Sequence, residues 1–355
     1  VFTLEPDRLP VTLLTGFLGA GKTTLLNHLL RAPSMAGAAV IVNEFGDIGL
    51  DHDLIEAASE TVTLMRSGCL CCTIRGDLAA AMAGLWRRRA AGEIAFDRVV
   101  IETTGLADPG PIQQTLLSEP RIAGAFSLEA VVTVADAAAG PATLDRHFEA
   151  VSQIAVADRL VITKGDLVTA VRLSAFEARL AAINPAATIL RADRGRIDPS
   201  AVTGPGLRAA TGPSLVFPTV SLAAGLPPLS AFAARAPTAA LLPQARGSHD
   251  ARISSVATAF DAPVHPAIFE LWFETLAALA APNILRLKAI VALEGEAAPI
   301  VLHGVQHVLH PPERLKRWPS ADRRSRIVVI ARDMPDGLLA DSVAYLQSRP
   351  ALAAS

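Results

Sequence analysis

The sequence predicts an α/β domain built on a mainly parallel sheet, followed by a smaller α+β domain. Three observations predict this. Short β-rich runs alternate with longer Ala/Leu-rich helical stretches through the first part of the chain. Proline and glycine then thicken from about Gly204 to Gly247, the composition of a connecting region. Beyond it the strand-like and helix-like runs follow the order β-α-β-β-α-β. At 355 residues, with 51% hydrophobic residues, the chain has the material for two cores.

The strands of the first domain are expected at Val11–Thr15, Ala39–Val42, Val62–Met65, Arg98–Ile101, Ala130–Val134, Arg159–Ile162 and Thr188–Arg191. Between them lie the helical stretches Lys22–Arg31, Asp77–Ala90, Pro111–Leu117 and Leu173–Ile183. Such alternation means parallel strands covered on both faces by helices. Ligands of these sheets bind outside the carboxyl ends of the strands. In the second domain, strands are expected at Ile253–Phe260, Ile284–Leu293, Ile300–Leu309 and Arg326–Ala331, with helices at Pro266–Leu279 and Pro311–Trp318. That order suggests a ferredoxin-like or similar sandwich. A terminal helix is expected within Leu339–Ser355. The domains are therefore drawn at 1–215 and 251–340, with a linker at 216–250 and a tail at 341–355.

Composition excludes several functions. A formal net charge of −2 leaves no broad footprint for nucleic acid, and Arg87-Arg88-Arg89 is expected at the solvated end of a helix. No apolar run approaches the roughly 18–20 residues a membrane helix needs. The start, Val1-Phe2-Thr3-Leu4-Glu5-Pro6-Asp7, carries acid and proline where a signal peptide would be basic and then apolar. A cytoplasmic protein is expected, with neither membrane nor nucleic acid among its partners.

The most specific local signal is Gly16-Phe17-Leu18-Gly19-Ala20-Gly21-Lys22-Thr23. Its glycines let successive backbone N–H groups turn toward phosphate oxygens, and it joins a strand to a helix whose N-terminus favours anions. Lys22 is expected to face solvent in the empty site and to reach the β/γ-phosphates, and the Thr23 hydroxyl to ligate Mg2+. Gly16, Gly19, Ala20, Gly21 and Thr24 complete the nucleotide contacts. Ile101-Glu102-Thr103-Thr104-Gly105 ends an apolar strand and supplies Glu102 toward Mg2+. Asn43-Glu44-Phe45-Gly46-Asp47 stands where a γ-phosphate-sensing switch would lie. Thr163-Lys164-Gly165-Asp166 ends a further strand, where Asp166 could accept both guanine N1–H and N2–H2 and Lys164 could pack over the base. Guanine is expected over adenine. Lys22, Thr23, Glu44 and Glu102 are the expected catalytic set, and GTP is the expected nucleotide.

Three cysteines fall within four positions, Cys69, Cys71 and Cys72, in Ser67-Gly68-Cys69-Leu70-Cys71-Cys72-Thr73. Neighbouring cysteines bridge only with strain. Thiolates on one turn suit a soft or borderline cation, and three sulfurs leave a tetrahedral site one ligand short, as exchange or transfer would need. Spacing does not choose between zinc, cobalt and copper(I). His303 and His307 alternate along an expected strand, with His310 nearby, and are read as structural.

Taken together, GFLGAGKTTLLNHLL, NEFGDIGLD, SGCLCCTIRGDL, IETTGLADP and TKGD resemble the CobW-like metallochaperone GTPases, relatives of UreG and HypB. The resemblance extends downstream through Ile284–Val291, Val305-Gln306-His307 and Trp318-Pro319. It implies a GTPase that binds a transition metal, most often Zn2+, at the cysteine loop and delivers it to a client protein. It also implies that Glu44 helps complete the metal site. The alternatives are Co2+ insertion for cobalamin synthesis, and a nucleotide-regulated zinc-binding or storage protein. No water-orienting glutamine or arginine finger can be named, so slow intrinsic turnover is expected, with a partner or homodimer contact supplying the missing group. Two features depart from the family. Thr163 stands where Asn is usual, and the linker offers only His249 in place of a histidine-rich stretch.

Overall fold

The computed structural model describes residues 8–42, 63–66, 74–203, 252–279, 283–305, 308–309, 312–335 and 337–347. The chain divides into two compact units, Val1–Ala181 with Ala187–Leu207, and Ala182–Ala186 with Arg208–Ser355.

The first unit is a seven-stranded parallel sheet in the order β3-β2-β4-β1-β5-β6-β7. Its strands are β1 (Leu9–Gly16), β2 (Ala38–Val42), β3 (Thr63–Arg66), β4 (Arg98–Glu102), β5 (Phe126–Asp136), β6 (Arg159–Thr163) and β7 (Thr188–Arg191). Each of the seven expected strands is present. Among the described residues the helices longer than four residues are α1 (Lys22–Leu30), α2 (Ile74–Ala90), α3 (Gly110–Ser118), α4 (Gly140–Arg146), α5 (Phe148–Ala155) and α6 (Ala170–Ile183). α2 ends on Arg87, Arg88 and Arg89, as the sequence predicts.

Central β1 explains why its strand reads as an apolar run. Leu13 on one face packs with Leu78, Met82 and Leu85 of α2. Leu14 on the other packs with Leu25, Leu26 and Leu29 of α1. All of these are essentially buried, and each such side chain is worth roughly 1.5–3 kcal/mol of transfer free energy. Two fixed layers on either side of one strand hold its carboxyl end, where the phosphate loop begins, in place.

The second unit is an antiparallel sheet in the order β11-β10-β9-β13-β8, with β12 also paired to β10. Its strands are β8 (Ile253–Phe260), β9 (Ile284–Val291), β10 (Ile300–Val305), β11 (Val308–Leu309), β12 (Glu313–Arg314) and β13 (Ser325–Arg332). Helices α7 (Pro266–Leu279) and α8 (Leu338–Tyr345) complete it. Phe269, Trp272 and Leu276 of α7 and Leu338, Leu339 and Val343 of α8 close over Leu287, Leu302 and Val329 of the sheet. The buried Trp272 Nε1–H donates to Ser342 Oγ at 2.9 Å and joins the two helices.

Two elements differ from expectation. The single strand expected over Ile300–Leu309 is two, β10 and β11, paired antiparallel with Gly304 opposite Leu309 and Val305 opposite Val308, so the chain reverses within that stretch. The stretch after Pro312 is not a helix: Glu313 and Arg314 pair with Val301 and Ile300 as an edge strand. Leu315 N–H donates to the Pro299 carbonyl at 3.1 Å. So short a segment cannot nucleate a helix alone, and the open edge of β10 takes up its backbone groups. The second helix of this unit is α8, Leu338–Tyr345, close to where a terminal helix is expected.

Candidate active site

The loop between β1 and α1 is shaped by its glycines. Gly16, Gly19 and Gly21 have φ of 139°, 70° and 99°, a region L side chains rarely adopt. At Gly16 there is also no room, because a Cβ would lie 2.4 Å from the Val134 carbonyl oxygen on β5. The loop closes on itself through Ala20 N–H, which donates to the Phe17 carbonyl at 3.1 Å. α1 then starts at Lys22, so its unpaired N–H groups and positive dipole end face the loop.

Lys22 corrects one expectation. It is not solvent-facing: it is 9% exposed, and its ammonium donates to the Phe17 carbonyl at 3.2 Å. The cation sits inside the loop, where the carbonyl substitutes for water.

Thr23 and Glu102 meet across the sheet, the hydroxyl donating to Glu102 Oε1 at 2.8 Å. Glu102 is the last residue of β4 and is buried. The pairing of β1 with β4 sets Leu14 opposite Glu102, which places this acid beside the phosphate loop. Next to it, Thr103 Oγ1–H donates to Thr15 Oγ1 at 2.8 Å, and Thr103 N–H to the Leu14 carbonyl at 2.9 Å. The half-buried Thr23 hydroxyl and the buried Glu102 carboxylate are hard oxygen donors of the kind Mg2+ takes.

At the end of β6 the Thr163 hydroxyl donates to the Ala20 carbonyl at 2.7 Å. Lys164 follows with φ of 55°. Its ammonium donates to the Gly19 carbonyl at 2.8 Å and to Asp136 Oδ2 at 2.7 Å. Asp136 ends β5, and its other oxygen accepts from the N–H groups of Ala138 and Ala139 at 2.7 and 3.0 Å. Asp166 lies exposed in the turn Gly165–Leu167. Thr24 is exposed on the first turn of α1, and a Cβ on Gly195, in the turn after β7, would come 2.9 Å from its methyl group.

The first unit thus gathers Gly16, Gly19, Ala20, Gly21, Lys22, Thr23, Glu102, Thr163 and Lys164 around neighbouring strand ends. Glu44, the segment Asn43–Asp51, Cys69, Cys71 and Cys72 lie outside the described residues, as do His307, His310 and His249. Among the described residues no group of three or more His, Cys, Asp or Glu could hold a metal. The flanks of the undescribed loops are placed, however: Val42 at the end of β2 pairs in register with Arg66 at the end of β3 and with Glu102.

Two residues of the site escape a reading of the sequence. Asp136 could have been found as an acid at the carboxyl end of a parallel strand. Gln153 of α5 could not, since its amide contacts, with the Gly105 and Ala107 carbonyls, are 48 and 46 residues away in sequence.

Against this geometry, residues 10–191 match the family model of the CobW/HypB/UreG nucleotide-binding domain, and residues 253–345 match that of the cobalamin synthesis protein cobW C-terminal domain. The chain belongs to the CobW/HypB/UreG family. Within the CobW/HypB/UreG family it is 32% identical over 328 residues to the zinc chaperone YjiA of Escherichia coli, covering 92% of this chain and 95% of that one. It is 37% identical over 203 residues to the zinc-regulated GTPase metalloprotein activator 1 of Schizosaccharomyces pombe, covering 55% of this chain and 48% of that protein. The crystal structure of zinc-bound YjiA GTPase from E. coli superposes with a TM-score of 0.68 at 26% identity, covering 97% of this chain and all of that one. The expected succession of a GTPase domain and a smaller C-terminal domain is borne out.

Proposed function

We propose that this chain binds GTP with Mg2+, hydrolyses it slowly, and uses the cycle to hold a transition metal at the cysteine loop and hand it to a client protein. The observation that carries the nucleotide half is the Thr23–Glu102 pair at 2.8 Å beneath a glycine-shaped loop. Thr23 and Glu102 would hold the magnesium ion, directly or through water. When bound, Mg2+ neutralises charge developing on the β- and γ-phosphates. Lys22 moves its ammonium from the Phe17 carbonyl to phosphate oxygens, Asp166 accepts from the guanine edge, and the aliphatic stem of Lys164 lines the base.

The metal half rests on chemistry and register. Cys69, Cys71 and Cys72 supply three thiolates, and Glu44 is the proposed fourth ligand. The loop carrying the cysteines follows β3, the segment carrying Glu44 follows β2, and both strand ends align with Glu102. A switch ordered by the γ-phosphate is thus tied to a strand next to the thiolates. The zinc named in the relatives' descriptions favours zinc over cobalt as the cargo. None of the described helices is long and apolar enough to cross a membrane, which agrees with the proposed cytoplasmic location. The proposed domains are drawn at 1–215 and 251–340, the second carrying on through α8, whose Val343 packs into its core.

Multiple-turnover GTP hydrolysis with zinc loaded, assayed against ATP as competitor, tests the reading. Hydrolysis that ATP does not displace supports it. Equal use of both nucleotides, or zinc binding without any turnover, would replace it with a kinase-like or a storage function.

A further inference from the structure

A buried amide joins helix α5 to the loop that follows Glu102. Gln153 is 1% exposed, and its Nε2 donates to the Gly105 carbonyl at 3.2 Å and to the Ala107 carbonyl at 3.0 Å. Two carbonyls face the amide, so only its NH2 end can point at them, and this fixes the rotamer. Its Oε1 has no partner among the described residues. The backbone at the same position is anchored as well, because the buried Thr133 hydroxyl on β5 donates to the Gln153 carbonyl at 2.7 Å.

The loop so held is the one that abuts the phosphate loop. A Cβ on Gly105 would lie 2.6 Å from the backbone nitrogen of Leu18. The other end of α5 touches the phosphate loop too, for His147, which precedes the helix, packs on Phe17 with ring centroids 4.6 Å apart and planes tilted by 34°. Gln153 also lines the cleft beside Phe17 and Leu18. One helix therefore borders both the phosphate loop and the loop that follows Glu102.

We propose that Gln153 is a positioning residue that holds Gly105–Ala107 against the phosphate loop in the conformation that favours GTP over GDP. Segments of this kind in GTPases are ordered by the γ-phosphate, and a group that fixes the ordered form raises affinity for the triphosphate alone. The inference rests on the proposed GTPase reading. It assigns to α5 the part of biasing that loop before nucleotide arrives.

The test uses the full chain with Gln153→Met, which keeps the side-chain volume without a donor, and Gln153→Glu, which sets a carboxylate against both carbonyls. Affinities for GDP and for a non-hydrolysable GTP analogue are measured by calorimetry on wild type and variants. Loss of two neutral hydrogen bonds should lower analogue affinity about tenfold while GDP affinity stays within about twofold, with Gln153→Glu worse than Gln153→Met. A purely structural role would weaken both nucleotides together, and that result, or no change, overturns the inference. Should Gln153→Glu not fold, the analogue-to-GDP ratio of Gln153→Met decides alone. Should wild type bind neither nucleotide, the GTPase reading itself fails, a different outcome from an unchanged ratio in a wild type that binds both.

Discussion

The hydroxyl of Thr163 donates to the carbonyl of Ala20 at 2.7 Å, tying the end of β6 to the phosphate loop across 143 residues of sequence. The family usually places Asn here, and a single hydroxyl suffices for the tie. Because the Thr163 hydroxyl is spent on the Ala20 carbonyl of the phosphate loop, its loss should not alter base preference. Thr163→Val keeps the shape, removes the donor and leaves a buried carbonyl to find another partner. It should weaken GTP and ATP equally, by about fivefold for a bond of about 1 kcal/mol. Selective loss of GTP in calorimetry would show that Thr163 reads the base.

Asp166 is expected to behave in the opposite way. None of the described residues binds its carboxylate, and it stands exposed in the turn Gly165–Leu167. Asp166→Asn should leave the melting temperature unchanged and lower GTP affinity at least tenfold more than ATP affinity, the worth of a charged hydrogen bond of about 1.5–3 kcal/mol. Equal weakening toward the two nucleotides would assign the residue a structural role.

Gly16 and Gly19 separate two kinds of glycine requirement. Both have positive φ, yet a Cβ at Gly19 meets nothing within 4 Å while one at Gly16 meets backbone at 2.4 Å. A backbone neighbour cannot rotate away. Gly19→Ala should therefore cost about 1 kcal/mol of left-handed strain. Gly16→Ala should cost at least about 2 kcal/mol, since β1 and β5 must also part. Urea unfolding of the two variants checks the order, and equal midpoints would contradict it.

The second unit offers a test of electrostatics. Arg252 grips Asp333 through Nε and Nη2, both at 2.6 Å, and this hydrogen bonding holds the Asp333 carboxyl below the usual carboxylate range. A depressed folded value means the stabilisation is complete above the unfolded pKa of about 3.9 and is lost as pH falls through the folded value. The side chains are 53% and 31% exposed, which limits the pair to under about 1 kcal/mol. Asp333→Asn should be slightly less stable than wild type at neutral pH, and the difference should vanish in acid. A difference that grows on acidification would reverse the sign of the assignment.

The first unit is legible because parallel strands buried on both faces appear as apolar runs, as Val11, Leu13 and Leu14 do in β1. The phosphate loop is legible because its chemistry is local and its glycines mark backbone that other residues cannot adopt. Pro311–Trp318 misleads because an edge strand of two paired residues leaves no period to detect. The enclosure of Lys22, the salt link of Lys164 to Asp136 and the grip of Gln153 on Gly105 depend on strand order, which sequence spacing does not record. The cysteine cluster is legible from its own spacing and thiolate chemistry, whereas the part of Glu44 in the metal site comes only from the resemblance; both lie beyond the described residues.

In the proposed cycle nucleotide and metal assist one another, which linkage makes reciprocal. A competition titration against a zinc indicator, with the full chain empty, GDP-loaded and loaded with a non-hydrolysable GTP analogue, measures this directly. Zinc affinity should rise with the analogue and fall with GDP, by roughly 5–150-fold for a coupling of about 1–3 kcal/mol. Cys71→Ala should remove most zinc binding and the nucleotide effect while sparing GTP binding, and Glu44→Ala should remove only the analogue-dependent increment. Identical zinc affinity in all three states would contradict the transfer cycle and leave a GTPase with an unrelated thiol cluster.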